Sequence, residues 1–153
     1  MEMTQEKPVS FFRFEDLRVF TKATDYSAWL TKNLDNPGND VQRALVNAFC
    51  RSSYDIALNI AEGSSRNKSH FEHYLKISKT AIRECIAYTT IARNVNLFDE
   101  RRHDQSREYL MEMTRMIGAL IVSLQRGMGR RRDDYEGDVA GDAGELDNIE
   151  TDF

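Results

Sequence analysis

The sequence predicts an all-α chain: an antiparallel, up-down-up-down four-helix bundle followed by a disordered acidic C-terminal tail. Three observations carry this. Both prolines, Pro8 and Pro37, precede residue 39, so no proline breaks a helix from there on. Apolar residues recur every three or four positions through four successive stretches. No stretch of useful length alternates apolar with polar residues, so strands are not expected.

Residues 1–13 read as a flexible lead. A first helix is expected over 14–33, where Leu17, Phe20, Ala23, Tyr26 and Leu30 form one stripe. The run Asp35-Asn36-Pro37-Gly38-Asn39 is a breaker cluster. A second helix follows over 40–62, with Val41, Leu45, Ala48, Phe49, Ser52, Ile56 and Ile60 facing inward, and Gly63 is expected as the C′ residue that turns the chain out. Ser69 with Glu72 three residues later has the capping-box spacing and marks a third helix, 69–95.

This third helix is apolar on two sides. One stripe is Phe71, Leu75, Ser78, Ile82, Cys85, Thr89 and Ala92; the other is Tyr74, Ile77, Ala81, Tyr88 and Ile91, with Glu84 set among them. A helix with two apolar sides wants two neighbours, from its own bundle or from another copy. Asp99 can cap a fourth helix, 100–127, whose stripe runs Tyr109, Leu110, Met113, Met116, Ile117, Leu120, Ile121, Leu124, and which Gly127 and Gly129 are expected to end. The bundle thus spans 14–129 and the tail 130–153. Four long helices with short connections imply antiparallel neighbours.

The net charge of −4 is unevenly spread. Residues 130–153 hold nine anions against three arginines, a charge of −6, which leaves +2 on residues 1–129. The tail is too poor in apolar residues to offset the entropy of ordering, so disorder is expected. Cys50 and Cys85 form no CxxC pair and sit in helical patterns, the usage of a reducing compartment rather than a disulfide scaffold. The polar opening lacks the apolar region of a signal peptide, and the longest apolar run, Met116–Leu124, is far short of the ~20 residues that span a bilayer. A cytoplasmic protein without membrane contact is the expectation.

Arg51, Asp55, Asn59 and Glu62 are spaced 4, 4 and 3 and line one face of the second helix. They read either as a polar seam toward another subunit or a ligand, or as a solvated face of i,i+4 pairs, each stabilising by a few tenths of a kcal/mol. Glu84, on an apolar stripe, needs a cation such as Arg51 or Arg43, from its own subunit or from another. His70 and His73 lack the further ligands a closed zinc site requires and read as an exposed first-turn pair. The cysteines read as small core residues and the methionines as core filling. No Gly-rich phosphate loop and no nucleophile–base set is present, so no catalysis, cofactor, metal or small-molecule substrate is expected. Two arginine groups are the candidate nucleic-acid contacts: Arg126 with Arg130, Arg131 and Arg132, and Arg93 with Arg101, Arg102 and Arg107. For the first group the alternative is pairing with Asp133, Asp134 and Glu136.

The run Asn59-Ile60-Ala61-Glu62-Gly63, with Arg51 and Ile56 before it, resembles the signature of the bacterial four helix bundle proteins, also called 23S rRNA intervening-sequence proteins. The opening Phe14-Glu15-Asp16-Leu17-Arg18-Val19-Phe20 with Lys22-Ala23, and Phe71, Tyr74, Leu75 and Glu84 later, are similar to further motifs of that family in the same order. The chain departs from it at Ala57, where the family usually has proline, at Cys50-Arg51 for a paired arginine, at Thr80-Ala81 for Gly-Ser, and at Phe20 for tryptophan.

The resemblance implies a four-helix bundle that assembles as a homopentameric ring. It implies kinship with the accessory variability proteins of diversity-generating retroelements, which bind a reverse transcriptase and nucleic acid. By that resemblance Arg51, Asn59, Glu62, Gly63 and Glu84 are family-motif residues with structural roles. Asn59 and Glu62 are expected to bond backbone near the Gly63 turn. The leading expectation is a non-enzymatic homo-oligomeric interaction or accessory module; the alternative is an RNA- or DNA-binding module using the basic residues of the fourth helix.

Overall fold

Four helices follow one another: α1 (Arg18–Asn33), α2 (Asp40–Ser64), α3 (Lys68–Asn94) and α4 (Glu100–Tyr135), preceded by a single 3-10 turn, Arg13–Asp16. A computed structural model describes residues 10–135, with side chains to residue 128. Among these residues there is no strand. Each helix packs on its neighbours in sequence, and α1 closes the square against α4; the α2–α3 contact is the most extensive. This is the expected antiparallel bundle.

The expected inward residues largely lie inside. Ala23, Tyr26 and Leu30 of α1, Phe49, Ile56 and Ile60 of α2, the whole first stripe of α3 after Phe71, and Leu110, Met113, Ile117 and Ile121 of α4 are buried. Aromatic rings thread the core across helices: Trp29 meets Phe98 at 5.8 Å, Phe98 meets Phe49 at 5.9 Å, and Phe49 stacks on Tyr88 at 5.5 Å.

A hydroxyl chain also crosses the interior. Tyr26 Oη lies 2.7 Å from Ser106 Oγ, Ser106 Oγ 2.7 Å from Thr89 Oγ1, and Thr89 Oγ1 2.7 Å from the Cys85 carbonyl. The carbonyl can only accept, so Thr89 donates to it; Ser106 must then donate to Thr89, and Tyr26 to Ser106. Every hydroxyl hydrogen in this buried run is used, and α1, α3 and α4 are joined by it. Burial pushes the Tyr26 phenol up, which keeps it a donor.

Helix ends differ from the sequence expectation in instructive ways. The first helix does not begin at Phe14: Leu17 is extended, and the 3-10 turn before it folds back so that Phe14 packs edge-on against Phe20, ring centres 4.9 Å apart. Asn39 caps α2 by accepting from Gln42 N at 2.8 Å, and Asp99 caps α4 by accepting from Arg102 N at 2.8 Å, as expected for Asp99. The cap of α3 is Asn67, which accepts from His70 N at 3.0 Å, rather than Ser69.

Gly63 is not a C′ turn residue. It lies buried inside α2, where an added Cβ would stand 2.6 Å from Tyr74 Cβ and 2.9 Å from Phe71 Cδ2. Glycine there lets α2 and α3 approach. Gly127 and Gly129 do not end α4 either, since its backbone is helical to Tyr135. At Gly127 the missing side chain makes room for Lys68, whose Nζ would lie 2.6 Å from a Cβ. The expected disordered tail therefore starts on helical backbone at 130–135, and residues 136–153 lie outside those described.

The other end of the bundle is clasped by Arg102. Its guanidinium meets both Asp35 carboxylate oxygens, at 2.8 and 3.0 Å, and donates to the Asn33 carbonyl at 2.7 Å. Beside it, the Asp35 N–H donates to the Leu97 carbonyl at 3.2 Å. The α3–α4 connection turns on Asn96, which has a positive φ of 62°. Asn96 N bonds the Arg93 carbonyl and Leu97 N the Ala92 carbonyl, at 3.1 and 2.8 Å, the paired closure of a Schellman motif.

Candidate interaction faces

The second stripe of α3 is only partly covered. Ala81 is buried and Tyr74 and Tyr88 are half-buried, but Ile77 and Ile91 are 37% and 42% exposed. On the adjacent edge of α2, Leu45 and Ala48 are half-buried and Val41, expected inside, is 80% exposed. Val41 falls in the first turn of α2, before the helix meets the body of the bundle. Leu58, farther round α2, is 62% exposed.

Glu84 belongs to this face, though not as expected. It is exposed, and its Oε2 accepts from Ser52 Oγ at 2.9 Å instead of meeting Arg51 or Arg43. Glu84 sits just outside the angular range that α3 buries, so within the chain a hydroxyl from α2 suffices and no buried charge needs neutralising. Arg51 is exposed and has no ion-pair partner among the described residues, and Asp55 is half-buried beside it on the helix. Asn59 Nδ2 donates to the Asp55 carbonyl at 2.8 Å, one turn before the position expected for it. The Glu62 side chain pairs with Arg66 at 2.6 Å, and it is the Glu62 carbonyl that serves the helix end by accepting from Ser65. The seam of four thus splits into local bonds with Arg51 left over.

The candidate cations also divide. Arg102 is engaged by the clasp on Asp35 and Asp99. Arg93 stands 3.7 Å from Glu100. Arg101, Arg107 and Arg126 are exposed without an ion-pair partner among the described residues, while the side chains of Arg130, Arg131 and Arg132 lie outside them. Sequence reading missed Lys79 and Arg83, which lie four apart on α3 with no ion-pair partner among the described residues. Their spacing from the Glu72–Lys76 pair was the available signal.

Cys85 is buried and Cys50 half-buried; burial pushes both thiols up, away from the reactive thiolate. His70 and His73 are exposed, as expected. Glu100, His103 and Asp104 bring three possible metal-ligand atoms within 4.8 Å of one another. Their chemistry opposes a cation: Glu100 faces Arg93, His103 Nδ1 bonds Asp104 at 3.0 Å, and the positive end of α4 lies there. Among the described residues, no helix is long and apolar enough to cross a membrane.

No curated protein matches the chain. Residues 15–119, from the 3-10 turn to the middle of α4, match the family described as 23S rRNA-intervening sequence protein. That stretch carries the Asn59–Gly63 run, the Gly63 approach to α3 and the closure by α1, so the match and the packing agree: this chain belongs to the 23S rRNA-intervening sequence protein family.

Proposed function

We propose that this chain is a non-enzymatic, homo-oligomeric interaction module of the cytoplasm whose first partner is another copy of itself. The observation that carries this is the partly uncovered second stripe of α3. Ile77 and Ile91, with Val41 on the neighbouring edge of α2, leave apolar area in water along one continuous face. Burying such area stabilises by ~25 cal/mol per Å². The same face carries Arg51, Asp55 and Glu84, both signs of charge, so one copy can complement another. The family resemblance points to a ring of five.

Mass measurement in solution tests this at micromolar concentration. A particle several times the 17.7 kDa of one chain is expected. Val41→Glu with Ile91→Glu should reduce it to a monomer of unchanged helix content. A wild-type monomer sinks the proposal.

A second reading, an RNA- or DNA-binding module, is favoured by one observation: Arg83, Arg101, Arg107 and Arg126 of α3 and α4 are exposed without an ion-pair partner among the described residues, while the −6 stretch of residues 130–153 begins in the last turns of α4. In this reading the tail acts as an electrostatic brake. A titration of structured RNA, with and without residues 133–153, distinguishes the two readings. If removing the tail reveals no salt-dependent binding, the second reading falls.

A further inference from the structure

We propose that the outer seam between α3 and α4 holds the phosphodiester backbone of a nucleic acid. This rests on the second reading above and gives it a place, different from the arginine set of the fourth helix alone.

The seam is bracketed by two contacts. Gln125 Nε2 donates to Glu72 Oε1 at 2.8 Å toward one end, and Arg93 stands 3.7 Å from Glu100 at the other. Beneath it, the Thr89–Ser106 bond joins the two helices. Steps of four, three and four from Glu72 run through Lys76 and Lys79 to Arg83 along one edge of α3. The same steps from Glu100 run through Asp104 and Arg107 to Met111 on α4, and a further three and four reach Thr114 and Gly118. Both edges must therefore flank the same seam.

Two of its three anions are matched by a cation: Glu72 accepts Lys76 at 3.3 Å and Glu100 faces Arg93. Asp104 bonds His103 Nδ1 at 3.0 Å, a contact that matches its charge only with a protonated imidazole. Lys79, Arg83 and Arg107 have no ion-pair partner among the described residues, so three cations stand against Asp104 and the strip is net positive. Lys76 to Arg83 covers about 10 Å of helix axis. A nucleic-acid strand in duplex places roughly three phosphates in that length. Two of the three cations are arginines, whose forked donors suit phosphate oxygens.

Gly118 is an independent pointer. Glycine inside a helix costs about 1 kcal/mol relative to alanine. An added Cβ at Gly118 would meet nothing within 4 Å, so internal packing does not call for glycine. Its effect is to leave the α4 backbone bare on the seam side, where a strand can approach closely.

The test uses the full chain and labelled single-stranded RNA and DNA of mixed sequence, followed by anisotropy across a salt series. Three phosphate contacts predict a slope of log K against log salt near −2, at about 0.7 per contact. Lys79→Glu with Arg83→Glu should weaken binding by about tenfold or more and flatten the slope. Lys32→Glu with Arg43→Glu, the same charge change on exposed cations of α1 and α2 away from the seam, should cost threefold at most, an order-of-magnitude bound. Helix content by circular dichroism confirms that each variant is folded; Lys79→Gln with Arg83→Gln replaces the reversal pair if it unfolds. If the control pair weakens binding as much as the seam pair, the seam assignment is wrong while nucleic-acid binding stands. If wild type binds neither RNA nor DNA, both fail. If polyglutamate of equal charge binds as tightly as RNA, the seam serves an acidic protein and the phosphate assignment is overturned.

Discussion

Gly63 on α2 and Tyr74 on α3 approach so closely that a methyl group on Gly63 would stand 2.6 Å from Tyr74 Cβ. The contact is to the root of a side chain, which cannot swing away without moving α3. Gly63→Ala should therefore destabilise the fold by roughly 1–3 kcal/mol, the cost of overpacking a well-filled core, even though alanine is the better helix former. Chemical denaturation measures it. A neutral or stabilising result would mean that the helices separate freely and that Gly63 is not the spacer of this pair.

The hydroxyl run from Tyr26 through Ser106 to Thr89 predicts coupling between residues that share no bond. Tyr26→Phe should cost about 1 kcal/mol, a lost buried hydrogen bond. Thr89→Val should cost roughly 1–3 kcal/mol because it strands the Ser106 hydrogen. A Ser106 hydroxyl that donates to Thr89 is the better acceptor for the phenol, so Tyr26 loses a weaker bond when Thr89 is absent. The double variant should then lose less than the sum, by about 0.5 kcal/mol or more. Strict additivity in a double-mutant cycle would show that Ser106 does not relay the run.

Acid should loosen the Arg102 clasp. The Arg102 guanidinium beside Asp35 holds that carboxyl below its ordinary range, and the Arg102 N–H does the same for Asp99 at the helix cap. A carboxyl that is harder to protonate when folded contributes stability that is present above the unfolded pKa of about 4 and is lost as pH falls through the lower folded value. Both groups are well exposed, so solvent screens the contribution. Asp35→Asn should lower stability near neutral pH and reduce the loss between about pH 5 and pH 3. Urea midpoints across that range decide it. An unchanged acid slope in the variant would remove Asp35 from the linkage.

The fold was legible because helical period and breakers are local properties. The stripes through Tyr26–Leu30, Ile56–Ile60 and Met113–Ile117 point inward whichever partner they meet. Asp99 as a cap was legible for the same reason, since its acceptor serves a backbone N–H three residues away. What escaped depends on the other helices. A glycine after an apolar run reads equally well as a turn or as a close approach, and only the position of Tyr74 decides for Gly63. Asn67 and Ser69 both can cap, and Lys68 reaching over Gly127 lies between them. Arg102 finds Asp35 across a sequence distance no local pattern encodes. Glu84 failed by angle: it borders the buried stripe closely enough that period alone assigned it a buried charge. Lys79 and Arg83 went unread because cations were sought as runs rather than as an edge of a helix.

Asn96 offers the sharpest backbone prediction. Its φ of 62° is the left-handed conformation in which the two closing bonds to the Arg93 and Ala92 carbonyls form. Asparagine tolerates that region and glycine enters it freely, whereas a Cβ with no compensating polar group is strained there. Asn96→Ala should cost about 1 kcal/mol, and a β-branched Asn96→Val more. Asn96→Gly should be close to neutral, because the relief of strain on folding opposes the extra freedom glycine has when unfolded. The ordering Gly ≥ Asn > Ala > Val in melting temperature is the measurement. Since Leu97 and Phe98 follow directly and are buried, a misplaced turn would also pull them from the core. If the alanine variant melts with the wild type, the connection does not depend on the left-handed residue, and the burial of Leu97 and Phe98 alone positions α4.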